Sequence, residues 1–536
     1  MDASTIQRRR WVILGVVVVG LLAIVIDNTV LNVALKTIAS PPDKGGIGAS
    51  QSSLEWAINS YTLVFAGLLF TFGVVGDRIG RKRVLMGGLI LFGLGSLFSA
   101  YSHSPDQLIA ARAVMGLGGA AVMPQTLSII ANVFEPRERA RAIGIWTSAV
   151  GIGVAIGPVL GGLLLTHFWW GSVFLINVPV TIAGTVAALV LIPESRNPAP
   201  GKIDYLGVLA SVVGLVLVVY GIVQGGDGES WGSPGVLGPA LGGLVVLGLF
   251  AWWETRIDHP SLDVRLFKDR SLSASVGSIA LLFFGMGGVY FFTSFYLQNV
   301  RGYTPLDTGL LAVPFAVGQF VASPRSASLV SRFGARPVLL AGMLMNAVAI
   351  GGWAFLSEGS PIWIVAVLFL VQGSGLGLAV PAATSTVMEA LPRERAGAGS
   401  ALTNTARQVA VALSVAVLGS ILSSAYRNSL TPTLNALPDA ARSAAGSSIT
   451  ATQAVAAQLG HAGQFLLAPA NLAFVDAMRI TTAVAAILAI VGGVAVLRWM
   501  PGRKRPTIEE LVAAEVAAAE RELKAVAQDR PELSER

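Results

Sequence analysis

The run WVILGVVVVGLLAIVIDNTVLNVAL, Trp11 to Leu35, holds a single charged residue, Asp27. At 1.5 Å of helical rise per residue it is long enough to cross a hydrocarbon layer about 30 Å thick. Runs of this kind recur to Trp499 in a chain of 536 residues that is 54% hydrophobic and only 12% charged. A water-soluble core cannot hide that much apolar surface, since an average soluble domain carries roughly a quarter charged residues. The expected fold class is an all-α polytopic membrane protein.

Fourteen spans are expected, at 11–35, 54–76, 84–102, 106–133, 140–165, 171–192, 204–223, 235–254, 272–299, 308–330, 337–357, 361–388, 397–425 and 472–498. The net charge is +7, and of the 37 lysines and arginines 26 lie in every second connecting loop and the two tails, against 5 in the other loops. This asymmetry predicts both termini on the cytoplasmic side of a cell (inner) membrane, and it argues against nucleic acid as a partner. Arg8, Arg9 and Arg10 precede an apolar run too long for a signal peptide, so that run is expected to remain as the first span. The chain has no cysteine, and His103, His167, His259 and His461 are scattered over loops. No cofactor or metal is expected. Nucleophile, acid, base and metal do not converge anywhere in the sequence, so an enzyme is not expected, and no phosphate loop points to ATP.

The chain repeats itself. PRERA stands at 136–140 and again at 392–396. Arg78, Gly80, Lys82, Val84 and Leu85 match Arg332, Gly334, Arg336, Val338 and Leu339; Gly116, Gly118 and Pro124 match Gly373, Gly375 and Pro381. Spans one to six thus correspond to nine to fourteen, which predicts a 6+2+6 arrangement. The divisions are a six-helix bundle over 1–200, an inserted pair over 201–270, a second bundle over 271–500 with an external loop at 426–471, and a tail over 501–536. Within the loop, Pro438 and Asp439 open a possible helix. In the tail, Thr507 and Glu510 form a capping box ahead of an amphipathic pattern.

Several motifs together resemble the major facilitator superfamily, in its fourteen-span drug:proton antiporter branch. Gly73, Gly76, Asp77, Arg78, Gly80, Arg81 and Arg83 resemble the family's motif between spans two and three. Asp27-Asn28-Thr29 with Asn32-Val33-Ala34-Leu35 resembles the first-helix motif, with Lys36 where a proline is usual. Gly144, Gly153, Gly157, Pro158, Gly161 and Gly162 match the antiporter motif on span five, and FWWGSVFLINVP, Phe168 to Pro179, resembles exporters of quaternary ammonium compounds. The resemblance implies two bundles around a cavity that opens alternately to either side. It implies proton-coupled multidrug efflux of lipophilic or cationic compounds, a role in antibiotic resistance, and action as a monomer. An exporter of an endogenous metabolite or lipid fits the same motifs, and a membrane sensor or scaffold is the alternative of another class.

Individual residues carry both active and structural readings. Asp27 is expected about 12 Å below the outer end of span one, where a carboxylate is costly and a proton or a cation could compete for it; otherwise it lines a wet vestibule or pairs permanently. Arg112, at similar depth on span four, could hold that carboxylate ionised, as the matching arginine of the family is associated with proton coupling, or bond backbone carbonyls. Asp77 with Gly73, Arg78, Gly80 and Arg81 is read as a gate and conformational switch, although topology alone accounts for the basic run. The glycines of span five let another helix approach closely, and Pro158 adds a possible bend. Asn59, Tyr61, Gln319, Gln372, Asn404 and Arg407 are the possible cavity residues. Arg407 either faces the cavity or bonds carbonyls. Trp56, Tyr61, Phe291, Phe292, Phe295 and Tyr296 offer aromatic surfaces for a flat cation or an interfacial belt.

Overall fold

The computed structural model describes residues 3–196, 204–226, 229–257, 264–389 and 396–500. The second PRERA copy up to Arg395 and the expected tail helix lie outside them. All regular structure among the described residues is helical. Helices α1 (Ala3–Ala39), α2 (Gln51–Ile79), α3 (Arg81–Ala100), α4 (Pro105–Val133) and α5 (Pro136–His167) are followed by the short α6 (Ser172–Leu175) and by α7 (Asn177–Leu191). A pair follows, α8 (Tyr205–Gly226) and α9 (Pro234–Glu254). Then come α10 (Arg270–Phe295), which ends in a π-turn over Tyr296–Val300, α11 (Pro305–Leu311), α12 (Val313–Phe333), α13 (Ala335–Trp353), α14 (Ile362–Glu389) and α15 (Ala396–Leu434). The small α16 (Asp439–Gly446) and α17 (Ile449–Gln458) precede α18 (Leu467–Trp499).

By length and composition, 12 helices among the described residues can cross a membrane, or up to 13 when Gln51–Leu69 and Thr71–Ile79, set at 54°, count as one span. The expectation of fourteen is therefore not reached by this criterion. The difference lies at α5, a helix of 32 residues of which Ile152–His167 stands as a shorter apolar helix.

The main helix-to-helix contacts repeat on the two sides of the pair. α4 packs on α2 and α3, α1 on α5, and α7 on α1 and α3; correspondingly α14 packs on α12 and α13, α10 on α15, and α18 on α10 and α13. Repeated glycines explain the closeness. A Cβ at Gly116 would lie 2.5 Å from the Tyr61 carbonyl oxygen of α2, and one at Gly373 would lie 2.7 Å from the Phe315 carbonyl carbon of α12. A Cβ at Gly118 would lie 2.6 Å from the Phe92 nitrogen of α3, and one at Gly375 2.7 Å from the Gly342 oxygen of α13. Gly80 and Gly334, at φ 121° and 90°, each close one helix and open the next, in a conformation other residues rarely adopt.

The two sets meet at one end, the end opposite the N-terminus, called here the far end. There Lys36 Nζ donates to the Gln298 carbonyl at 2.5 Å, and Gln298 Nε2 to the Val33 carbonyl at 2.9 Å. The backbone of α11 at Pro305–Leu306 presses on Gly162, and Pro158 on Gly309. α15 runs past the expected span to Leu434, and the segment after it is built of α16 and α17. Gln453 of α17 accepts from Asn299 at 2.8 Å and donates to its carbonyl at 3.0 Å, which ties this segment to the π-turn at the far end. The pair α8 and α9 pack on each other, and α8 leans on α2 and α15 through a small cluster of Leu63, Val219, Val223, Ala412 and Ala416.

Candidate functional site

α1 extends to Ala39, so Asp27 lies about 18 Å below its far end, deeper than the sequence suggests. Its carboxylate and the Arg112 guanidinium form an ion pair with each side chain only 1% exposed. Arg112 donates through Nη1 to Asp27 Oδ2, and through Nε to the Ala57 carbonyl at 3.1 Å. Asn177 Nδ2 donates to the other carboxylate oxygen at 3.0 Å and lies 3.0 Å from Ser96 Oγ, whose hydroxyl donates to the Phe174 carbonyl at 2.8 Å. Tyr61 covers the pair, with the Arg112 guanidinium 4.4 Å from its ring centroid, and its hydroxyl accepts from Asn28 at 3.1 Å. Helices α1, α4 and α7 thus meet at one carboxylate, and Ser96 of α3 holds Asn177 in place. Both readings of Arg112 hold geometrically, since it binds the acid and a backbone carbonyl at once.

Beside this cluster lies a cavity of about 200 Å³ between the two helix sets. Asn28, Thr29, Asn32 and Arg112 line it from one side; Gln319, Arg407, Gln408 and the aromatic Phe283, Tyr290 and Phe315 line it from the other. Arg112 therefore faces the cavity with one flank and Asp27 with the other. Asp27 itself is not in the cavity wall. A second cavity of about 180 Å³, toward the N-terminal end, shares Met123, Phe283 and Arg407 with the first and adds Trp146, Thr403 and Asn404. Arg407 stands at the junction. Its Nη2 donates to Asn404 Oδ1 at 2.7 Å, and its guanidinium lies 5.3 Å from the Phe283 ring centroid.

Three expected cavity residues point elsewhere. On α2, Ile58, Thr62 and Phe65 take the cavity face, which turns Asn59 and Tyr61 into the protein interior, as 100° of helical rotation per residue requires. Gln372 is likewise fully buried outside the cavity wall. Phe291, Phe292, Phe295 and Tyr296 fill the core, where Phe292 and Tyr296 meet the Trp353 ring edge to face at 5.7 and 6.2 Å. Trp56 packs against Tyr220 of α8, with ring centroids 6.3 Å apart. The aromatic wall comes from their neighbour Tyr290 with Phe283 and Phe315, which the spacing of the sequence does not single out.

The span-five glycines face α1. A Cβ at Gly153 would lie 2.8 Å from Val25 Cγ1, one at Gly157 2.9 Å from Thr29 Cβ, and one at Gly161 3.1 Å from Val30 Cγ1. Gly162 and Pro158 face α11 instead, and Gly144 lies on the same helix nearer its start. At the N-terminal end, Asp77 accepts from Arg81 Nη2 at 2.8 Å and Nε at 3.0 Å, while Arg81 also reaches the Ser128 carbonyl at 3.4 Å. Gly76 packs on Gln125, and Gly73 lies beside Pro124, both of α4. Arg78 lies in the last turn of α2. Glu194, beyond α7, completes this loop by accepting from the Lys82 backbone at 3.3 Å and pairing with Arg83 at 3.5 Å. Arg10 of the N-terminal basic run forks onto Glu138 of the first PRERA at 2.7 and 3.0 Å.

Residues 17–415 match the family model of the Major Facilitator Superfamily. The chain is 34% identical over 487 residues to the multidrug efflux pump LfrA of Mycolicibacterium smegmatis, covering 90% of this chain and 94% of that one. It is 33% identical over 423 residues to the tetracenomycin C resistance and export protein of Streptomyces glaucescens, covering 79% and 78%. Among solved structures, a bacterial homolog of the human lysosomal transporter Spinster superposes with a TM-score of 0.61 at 17% identity, over 92% of this chain and 99% of that one.

Proposed function

This chain belongs to the major facilitator superfamily, and we propose that it is a proton-coupled exporter of lipophilic compounds working by alternating access. Relatives named for multidrug efflux and for tetracenomycin C resistance and export support the substrate side of this reading. One observation carries the coupling side: Arg112 touches both the buried carboxylate of Asp27 and the cavity. A proton on Asp27 removes the charge that holds Arg112, and a compound in the cavity meets the other flank of the same guanidinium. Proton occupancy and cargo binding are therefore linked through one side chain, as coupled transport requires.

The bilayer arrangement follows the same reading. Fourteen crossings are reached when α2 and α5 each count as one, which makes α1–α7 one bundle, α8 and α9 an inserted pair, and α10–α18 the second bundle. Both termini are then cytoplasmic. The contacts at the far end close the outer side, and the second cavity leads inward from Arg407. Asp77 with Arg81 is read as part of the inner gate, a contact within one bundle that can be exchanged when the bundles rock.

Purified protein in proteoliposomes with an imposed pH gradient tests the coupling. Asp27→Asn is expected to abolish uphill transport while leaving membrane insertion intact. Uphill transport by that variant at the wild-type rate removes Asp27 from the coupling role.

A further inference from the structure

Among the described residues, neither cavity has an aspartate or glutamate in its wall. Asp27, the buried acid nearest by, has its two oxygens occupied by Arg112 and Asn177. The wall does contain Arg407, whose guanidinium has no carboxylate partner among the described residues. Of its five N–H donors, the one toward Asn404 makes the described side-chain bond, and the flat face rests on Phe283. An arginine stays charged in any protein, and at a site between helices the field of that charge is stronger than in water. A second guanidinium, Arg112, shows its flank to the same space.

We infer that the central cavity selects amphiphilic anions: the Arg407 fork takes a carboxylate or sulfonate group, and the wall of Phe283, Tyr290 and Phe315 takes an aromatic or aliphatic body. The planar fork matches such groups with two parallel hydrogen bonds. A cation in the same place would meet the Arg407 guanidinium and no acid in the wall. Placement adds to the argument, because Arg407 belongs to both cavities and an anion moving between them passes it. The inference rests on the exporter reading for its physiological sense and departs from the lipophilic cations that the sequence motifs suggest.

The test uses the full chain purified in detergent and three probes of one shape: radiolabelled naphthalene-2-carboxylate, neutral 2-naphthamide and cationic 2-naphthylmethylammonium. The anion is expected to bind about tenfold or more tighter than the amide, as a charge-assisted pair supplies, and the cation weakest. Arg407→Gln is expected to remove the anion's advantage while the amide still binds, which shows that the cavity is intact; Arg407→Lys is expected to keep much of it. Decanoate as competitor separates a lipid-like anion from an aromatic one, and displacement of either kind supports the site. Preference for the cation, or an anion preference that survives Arg407→Gln, overturns the inference. In proteoliposomes with a pH gradient, uphill movement of the amide without any gain for the anion sinks the inference and spares the exporter reading. A binding difference that persists while no probe moves uphill does the reverse.

Discussion

Two opposite charges withdrawn from water, as Asp27 and Arg112 are, depend on every further donor and acceptor around them, because an unpaired buried polar group costs about 1–3 kcal/mol. Asn177 is such a donor, bridging the carboxylate to Ser96. Asn177→Ala is expected to lower the thermal unfolding midpoint of the purified protein and to slow proton-driven export, whereas Asn59→Ala, with no described partner to lose, is expected to leave export near wild type. Fluorescence-detected unfolding and vesicle transport on the two variants check this. Asp27 and Arg112 are legible in the sequence because a charge inside an apolar run is costly enough to need a reason. Asn177 is not, although it lies within the quoted stretch from Phe168 to Pro179: a neutral amide in a membrane helix is common, and only the packing of α7 on α1 and α3 shows which acid it serves. The cavity assignments of Asn59, Tyr61 and Gln372 fail on the same point, since depth can be counted along a helix but facing depends on its neighbours.

At the scale of elements, α5 joins two contacts on one rod. Its glycines let α1 come close at Val25, Thr29 and Val30, and one residue further along Gly162 seats the α11 backbone. A side chain at Gly162 would meet Leu306 Cα at 2.6 Å, where backbone cannot give way cheaply. Gly162→Leu is therefore expected to hold the far end open without unfolding the protein. The absence of cysteine lets this be read cleanly: Lys36→Cys with Gln298→Cys is expected to join under a short bifunctional thiol reagent in the wild-type background and to join far less in the Gly162→Leu background. Equal joining in both would show that Gly162 does not control closure. The small-residue stripe is legible because its spacing repeats along one helix face. Its partners are not, since α1 and α11 are far from α5 in sequence and only the fold brings them against it.

At the scale of the molecule, the duplicated glycines are what make the architecture readable. Gly116 with Gly373, Gly118 with Gly375, and Gly80 with Gly334 each do one geometric job twice, so a repeat of motifs becomes a repeat of contacts. The span total is less accessible, because α5 is apolar enough to stand in the bilayer only over part of its length by hydropathy. Cysteine accessibility separates fourteen crossings from thirteen. With fourteen crossings, Ser447→Cys between α16 and α17 is expected to react with a membrane-impermeant maleimide in intact cells, and Ser4→Cys at the start of α1 to react only after the membrane is opened. Reaction of both in intact cells would put the two positions on one side of the membrane, with an even number of crossings between them, and would overturn the fourteen-span arrangement.

The pair of Asp27 and Arg112 carries no net charge while both groups are ionised, and one positive charge once the carboxyl holds a proton. A bundle that rocks in one state and returns in the other therefore shifts charge through the electric field of the membrane. In the proposed cycle, a neutral cargo leaves for each proton that enters, and a negative interior assists the exchange with about 2.3 kcal/mol per elementary charge per 100 mV. An anionic cargo leaving against an entering proton doubles the charge moved in that direction. The voltage across the bilayer, and not acidity outside alone, then sets how steep a gradient of cargo the protein can hold.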